Sequence, residues 1–191
     1  GMSLGNSPVQ DQGPINLTPA FVCEVTVSTA SAIVALSSDP YKILIADNHK
    51  HRYPVLPGGK IDLADLKKNA ANPALACVLR EVREEIRARL LNPRCIGQAL
   101  DPDRDIRILP AAVLAGTLAS QALPADISPE ALVKAHYGCP DFIFTGTVNP
   151  KAIRSTGEMK KPRFVDVRSI GPGDLSAGHD VIVRAYLQML T

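Results

Sequence analysis

Three glutamates crowd the run Arg80-Glu81-Val82-Arg83-Glu84-Glu85. Residues three and four apart meet on a helix surface, so on a helix these carboxylates fall on or beside one face. Clustered carboxylates repel one another, and a divalent cation offsets that repulsion. Ligation by oxygen alone selects magnesium or manganese over zinc. Arg80 stands one turn before Glu84, within reach of an ion pair. The same charges would also serve as an ordinary salt-bridged, solvated face, and the helix alone does not separate the two readings.

The residues upstream bear on that choice. Pro57-Gly58-Gly59 is a tight turn with little side-chain bulk, where backbone can approach a phosphate or a helix start closely. Lys60, Asp62 and Asp65 follow it. A small-residue turn leading into a carboxylate-rich helix suggests a site for phosphate oxygens bridged by metal. Gly58, Gly59, Lys60 and Asp65 are the candidates on the substrate side. Lys60 either adds positive charge at a reacting phosphate or is a solvated turn residue.

At these positions the sequence resembles the Nudix hydrolase family, whose box is written G-x5-E-x7-R-E-U-x-E-E-x-G-U with U apolar. Gly59 matches the opening glycine, and "PGGKID" is similar to the usual approach to it. Arg80, Glu81 and Val82 match R-E-U, and Glu84 and Glu85 match the glutamate pair. Asp65 stands where the family has Glu, with the same charge and a shorter reach. The resemblance implies metal-binding roles for Glu81, Glu84 and Glu85 and an orienting role for Arg80. Glu81 and Glu85 are joint candidates for the catalytic base. It further implies a magnesium ion, with manganese as an alternative, and hydrolysis of a diphosphate linkage in a small nucleoside-diphosphate-type substrate. A binding or regulatory module that kept the fold and lost turnover is the competing expectation. The sequence departs from the box twice. Fourteen residues separate Asp65 from Arg80 instead of seven, which places an insertion within "LKKNAAN" and lengthens the loop into the helix. Arg87 occupies the position of the second glycine, so the helix is expected to run on for another turn.

The elements that must position these residues are legible in part. Asn72 is a good N-cap, Pro73 suits the first helical position, and Leu75, Cys77, Val78, Leu79, Val82 and Ile86 form an apolar stripe at helical spacing. A helix over 72–90 follows, with Asn92-Pro93 as its stop. Strands are expected within 20–36, with a break near 28–31, and at 41–47, 106–116, 141–148 and 163–170. Further helices are expected over 128–138 and 179–190. Residues 3–19 have no periodicity and are read as a loose arm ahead of a single domain over 20–191. Mixed strands and helices favour a layered α/β domain, and the resemblance narrows this to an α/β/α sandwich around a mixed sheet.

The rest of the chain sets bounds. At 191 residues and 46% hydrophobic content, one sizeable core is the default. Lys and Arg number 21 against 19 acidic residues, so no broad basic face points to nucleic acid. Cys23, Cys77, Cys95 and Cys139 are too scattered for a zinc site or disulfide framework, and reduced thiols in a cytoplasmic protein are expected. Gly1-Met2 reads as an expression remnant, no signal peptide is recognised, and no apolar run has the length of a membrane span. Homodimerisation is compatible with such a domain. For substrate selection, Phe142 and Phe144 share a strand face and either stack on a base or pack in the core. Tyr53, Tyr137, Arg104, Arg107 and His179 are further pocket candidates, with a surface or cap role as the alternative for His179.

Overall fold

A computed structural model describes residues 29–100, 105–107 and 140–191. In chain order the elements are β1 (Thr29–Leu36), β2 (Asp39–Asn48), β3 (Gly58–Lys60), α1 (Leu63–Lys68), α2 (Pro73–Ile86), β4 (Leu91–Leu100), β5 (Asp105–Arg107), β6 (Pro140–Thr147), β7 (Met159–Asp166) and α3 (His179–Leu190). The strands form one mixed sheet in the order β5-β4-β6-β1-β2-β7, with β3 paired to β1. The central β1–β6 pair is parallel, and the remaining pairings are antiparallel.

Alternation along the central strands divides the core between two faces. Ala30, Ala32 and Val34 of β1 and Phe142 and Phe144 of β6 point to the α2 side. There they meet Cys77, Val78, Val82 and Ile86 of the apolar stripe. Ile33 and Ile143 point the other way, against Ile182, Val183 and Tyr186 of α3. The result is the expected α/β/α sandwich. Phe142 and Phe144 are accordingly core residues of the α2 face.

The entry to α2 is as expected. The Leu75 N–H donates to the Asn72 side-chain oxygen at 3.1 Å, and Pro73 takes the first helical position. Asn72→Ala should cost about 1 kcal/mol, the usual worth of an N-cap. Urea unfolding midpoints of the two proteins would measure it, and equal midpoints would show that the cap contributes nothing.

Four local features differ from expectation. The insertion is not a plain loop: α1 runs into it as far as Lys68, opened by a reciprocal capping box between Asp62 and Asp65. Helix α2 stops at Ile86, because Arg87 adopts the left-handed conformation at φ 61°. Asn92-Pro93 lies inside the unforeseen strand β4, where the ladder slips between Leu91 and Arg94. Proline has no N–H for a ladder, so it is accommodated at an irregularity of this kind. Strand β1 runs unbroken from Thr29. The expected arm, the strand residues before 29, most of the strand at 106–116, the helix at 128–138, Arg104 and Tyr137 lie outside the described residues. Among the described residues, no helix is long and apolar enough to cross a membrane.

Candidate active site

The site begins where one edge of β1 changes partner. Near its end β1 pairs with β2, and at its start it pairs with β3. Ser31 faces Gly58 and Ala30 faces Gly59 across that second pairing. The Ala32 N–H donates to the Pro57 carbonyl at 2.8 Å and fixes the turn on the sheet. A Cβ on Gly58 would run into the Ala30 carbonyl and the Ser31 Cα. One on Gly59 would lie 2.5 Å from the Glu81 carboxylate. Both glycines therefore serve close approach, to the sheet in one case and to α2 in the other. Gly58→Ala is expected to lose about 1–3 kcal/mol, because rigid backbone must shift. Gly59→Ala should cost less, since it meets the flexible end of a side chain. Chemical denaturation of both variants checks the order, and a reversed order would contradict this packing.

The turn and the helix are joined directly. The Gly58 N–H donates to Glu85 Oε1 at 2.7 Å, and Glu85 is only 2% exposed. Burial pushes the Glu85 carboxyl up to about 8, with the Gly58 amide opposing the rise and Glu81, Glu158 and Glu84 adding to it. Burial also raises Glu81, against the pull of Arg80.

Arg80 is the hub of the surrounding charges. Its Nε and Nη2 donate to the two oxygens of Asp65 at 3.0 and 2.9 Å, a bidentate pair. Its Nη1 reaches Glu81 at 2.8 Å and Glu84 at 3.3 Å, the ion pair expected from their spacing. Its Nη2 also donates to the Lys60 carbonyl at 3.1 Å. Asp65 is 2% exposed and sits behind the turn, away from the open cleft. Burial pushes its carboxyl up, but Arg80 and the Asp62 N–H together hold it below the ordinary value. Cys77, beneath the same turn, directs its thiol at the Gly59 and Lys60 carbonyls. Burial pushes that thiol far up, so it stays neutral.

In front of the turn lies a cleft of about 550 Å³. Gly58, Gly59, Lys60, Glu81, Glu84 and Glu85 all line it, while Arg80 and Asp65 of the box-like stretch stand behind them. Sequence reasoning missed Glu158 and Asp141, which also line the cleft. Glu158 joins the carboxylates at the rim. It arrives on a loop tied to the end of α2, where the Arg154 N–H and the Thr156 hydroxyl bond the Ile86 and Glu85 carbonyls. Buried Asp141 on β6 accepts the Thr29 hydroxyl at 2.9 Å and the Ser31 hydroxyl at 3.0 Å. His179 lines the far end, and its Nδ1 accepts the Leu56 N–H at 2.9 Å. That bond makes Nε2 the N–H bearer of the neutral ring. Tyr53 is exposed and does not line the cleft, and Arg107 lies on β5. An aspartate opening an apolar strand was the one trace of Asp141 in the sequence.

The donor set suits a hard divalent cation: carboxylate oxygens only, one of them raised by burial and then by like charge. Among the described residues, however, no group of three or more His, Cys, Asp and Glu side chains is drawn together as a ready metal site. The bonds above account for this. Arg80 holds Glu81 and Glu84, and the Gly58 amide holds Glu85.

Comparison with known proteins locates the fold. No protein-family model matches the sequence, and no curated protein matches it. Solved structures do. The Nudix domain of NrtR from Shewanella oneidensis, in complex with ADP-ribose, superposes with a TM-score of 0.58 at 15% identity, over 92% of this chain and 95% of that one. A MutT structure from work on Aliivibrio salmonicida and Vibrio cholerae gives 0.54 at 12% identity, over 85% and 98%. The MutT protein of Methanosarcina mazei gives 0.53 at 16% identity, over 86% and 95%. At such identities the likeness establishes the fold: this α/β/α sandwich has the architecture of the Nudix and MutT proteins.

Proposed function

We propose that this chain is a magnesium-dependent hydrolase of the Nudix type, cleaving the diphosphate linkage of a small nucleoside-diphosphate-type substrate. The observation that carries the reading is Glu85, a carboxylate raised chiefly by burial and further by its carboxylate neighbours, lining a cleft beside a glycine turn. Burying such a group without a cation is costly, and a site that binds one recovers the cost. Functional carboxylates with displaced proton affinity gather in clefts of this kind.

Glu81, Glu84 and Glu85 are the residues that would hold magnesium, or manganese in its place. The bound ion would supply an activated water and neutralise charge on the phosphate oxygens. Glu81 or Glu85 takes the proton of the attacking water. Arg80 holds Glu81 and Glu84 in position, and Asp65 holds Arg80. Lys60, exposed beside the turn, faces the phosphates. Asp141 and His179 offer an acceptor and a donor to the non-phosphate end of the substrate. The ADP-ribose in the Shewanella domain is a compound of the proposed class, which supports the choice.

The test is release of phosphate or nucleoside monophosphate from a panel of nucleoside diphosphate derivatives. It is run with magnesium, manganese or chelator, on the native protein and on its Glu84→Gln/Glu85→Gln variant. Metal-dependent turnover that disappears in the variant is the expected result. A second reading, a silent binding module, draws on the absence of a ready metal cluster among the described residues. Ligand binding without turnover on any compound would establish it and overturn the hydrolase.

A further inference from the structure

On the outer side of α2 lies a second hollow of about 350 Å³, between α1, α2 and the turn into β4. Its lining is Lys68, Leu79, Arg80, Arg83, Glu84, Arg89 and Leu90. Arg80 is consumed by its four carboxylate neighbours. Lys68, Arg83 and Arg89 make no ion pair or side-chain hydrogen bond among the described residues. Among the described residues, three unpaired cations from three parts of the chain thus face one hollow, with Glu84 as its sole acidic residue. Complementing the helix ends accounts for Lys68 and Arg83, each in the last turn of its helix. It accounts neither for Arg89, beyond the helix, nor for the hollow itself. Glu84 lines both this groove and the carboxylate cleft, so the two depressions meet across one side chain.

We infer that the groove is a second anion site, taking phosphoryl groups through Lys68, Arg83 and Arg89. Guanidinium forks match phosphate oxygens in paired hydrogen bonds, and the ammonium adds a point charge. The groove owes its form to the insertion, because α1 supplies Lys68 and one wall. Since it adjoins the cleft at Glu84, its phosphoryl groups come either from an extended substrate crossing that residue or from a separate phosphorylated effector.

Binding of inorganic tripolyphosphate, measured by calorimetry in chelator, tests the site without reference to turnover. The native protein and Glu85→Gln should bind alike, with affinity falling as salt rises. Arg83→Ala/Arg89→Ala should bind about tenfold or more weakly, since two charge-assisted contacts are lost. Far-ultraviolet circular dichroism confirms that the variant is folded. No binding by the native protein at millimolar concentration, or equal binding by the variant, overturns the site. The source of the phosphate is then read from kinetics. A KM increase in the variant confined to substrates with additional phosphoryl groups marks an extended substrate, and an unchanged KM marks an effector. Failure of the hydrolase reading leaves the tripolyphosphate result standing, so the two are separable.

Discussion

Arg80→Ala should destabilise the fold by about 3–5 kcal/mol, the range for breaking a buried ion pair from one side. Asp65 is 2% exposed, and Arg80 satisfies both of its oxygens. Without the guanidinium, Asp65 keeps one backbone donor, the Asp62 N–H at 3.0 Å. The pH dependence should invert along with the loss. In the native protein Asp65 titrates below its ordinary 3.8, so its contribution is present above that value and is lost as pH falls through the folded one. In Arg80→Ala burial dominates, the carboxyl rises, and stability should fall as pH climbs above 3.8. Arg80→Ala/Asp65→Asn should recover much of the loss, because the buried charge is gone. Urea midpoints across an acid-to-neutral series decide the matter. Additive losses in the double variant would show that the pair is not coupled.

Glu85→Gln should act in two opposite directions. Metal-dependent turnover is expected to drop by about 10²–10⁴, the usual worth of a positioned acid or base. Metal-free stability should rise at the alkaline end. The Glu85 carboxyl is raised to about 8 from 4.5, so the folded chain prefers it protonated. That preference contributes fully below 4.5 and is lost as pH rises through about 8. Glutamine keeps an acceptor for the Gly58 N–H and carries no charge, which removes this part of the slope. In chelator, the native thermal midpoint should decline over that window more steeply than the variant's. Magnesium should reverse the order by stabilising the native chain most where Glu85 is ionised. Parallel pH profiles for the two proteins in chelator would show that Glu85 is an ordinary carboxylate.

Much of the site could be read from sequence because its parts are close neighbours in the chain. Spacing alone puts Glu81, Glu84 and Glu85 on one helical face, and Asn72-Pro73 marks where that helix starts. The glycines were legible as a turn, although the reason each must be glycine lies in Ala30 and Glu81, which only packing supplies. Asp141 was out of reach as a cleft residue, since only the pairing of β6 with β1 brings it to Thr29 and Ser31. His179 was legible only as a choice between pocket and cap, and the Leu56 N–H bond to its Nδ1 places it at the cleft. Strand β4 was missed because Asn92-Pro93 looks like a stop, and one irregular ladder step admits it. Helix α1 was hidden by its shortness. Six residues carry little periodic signal, and the Asp62–Asp65 box that opens it also reads as a charged loop.

The parallel pairing of β1 with β6 sets the order in which the protein can assemble. Turn and carboxylate helix lie within residues 57–86 and can meet early, through short-range contacts. Thr29 and Asp141, bonded in the cleft floor, are 112 positions apart. Their meeting closes most of the chain into a loop, the slow and entropically expensive kind of step. The carboxylates are therefore expected to come together before the cleft floor between β1 and β6 has formed. Release from the ribosome follows the same sequence, and a nascent chain that has not yet emitted β6 holds the charged half of its cleft with nothing opposite it.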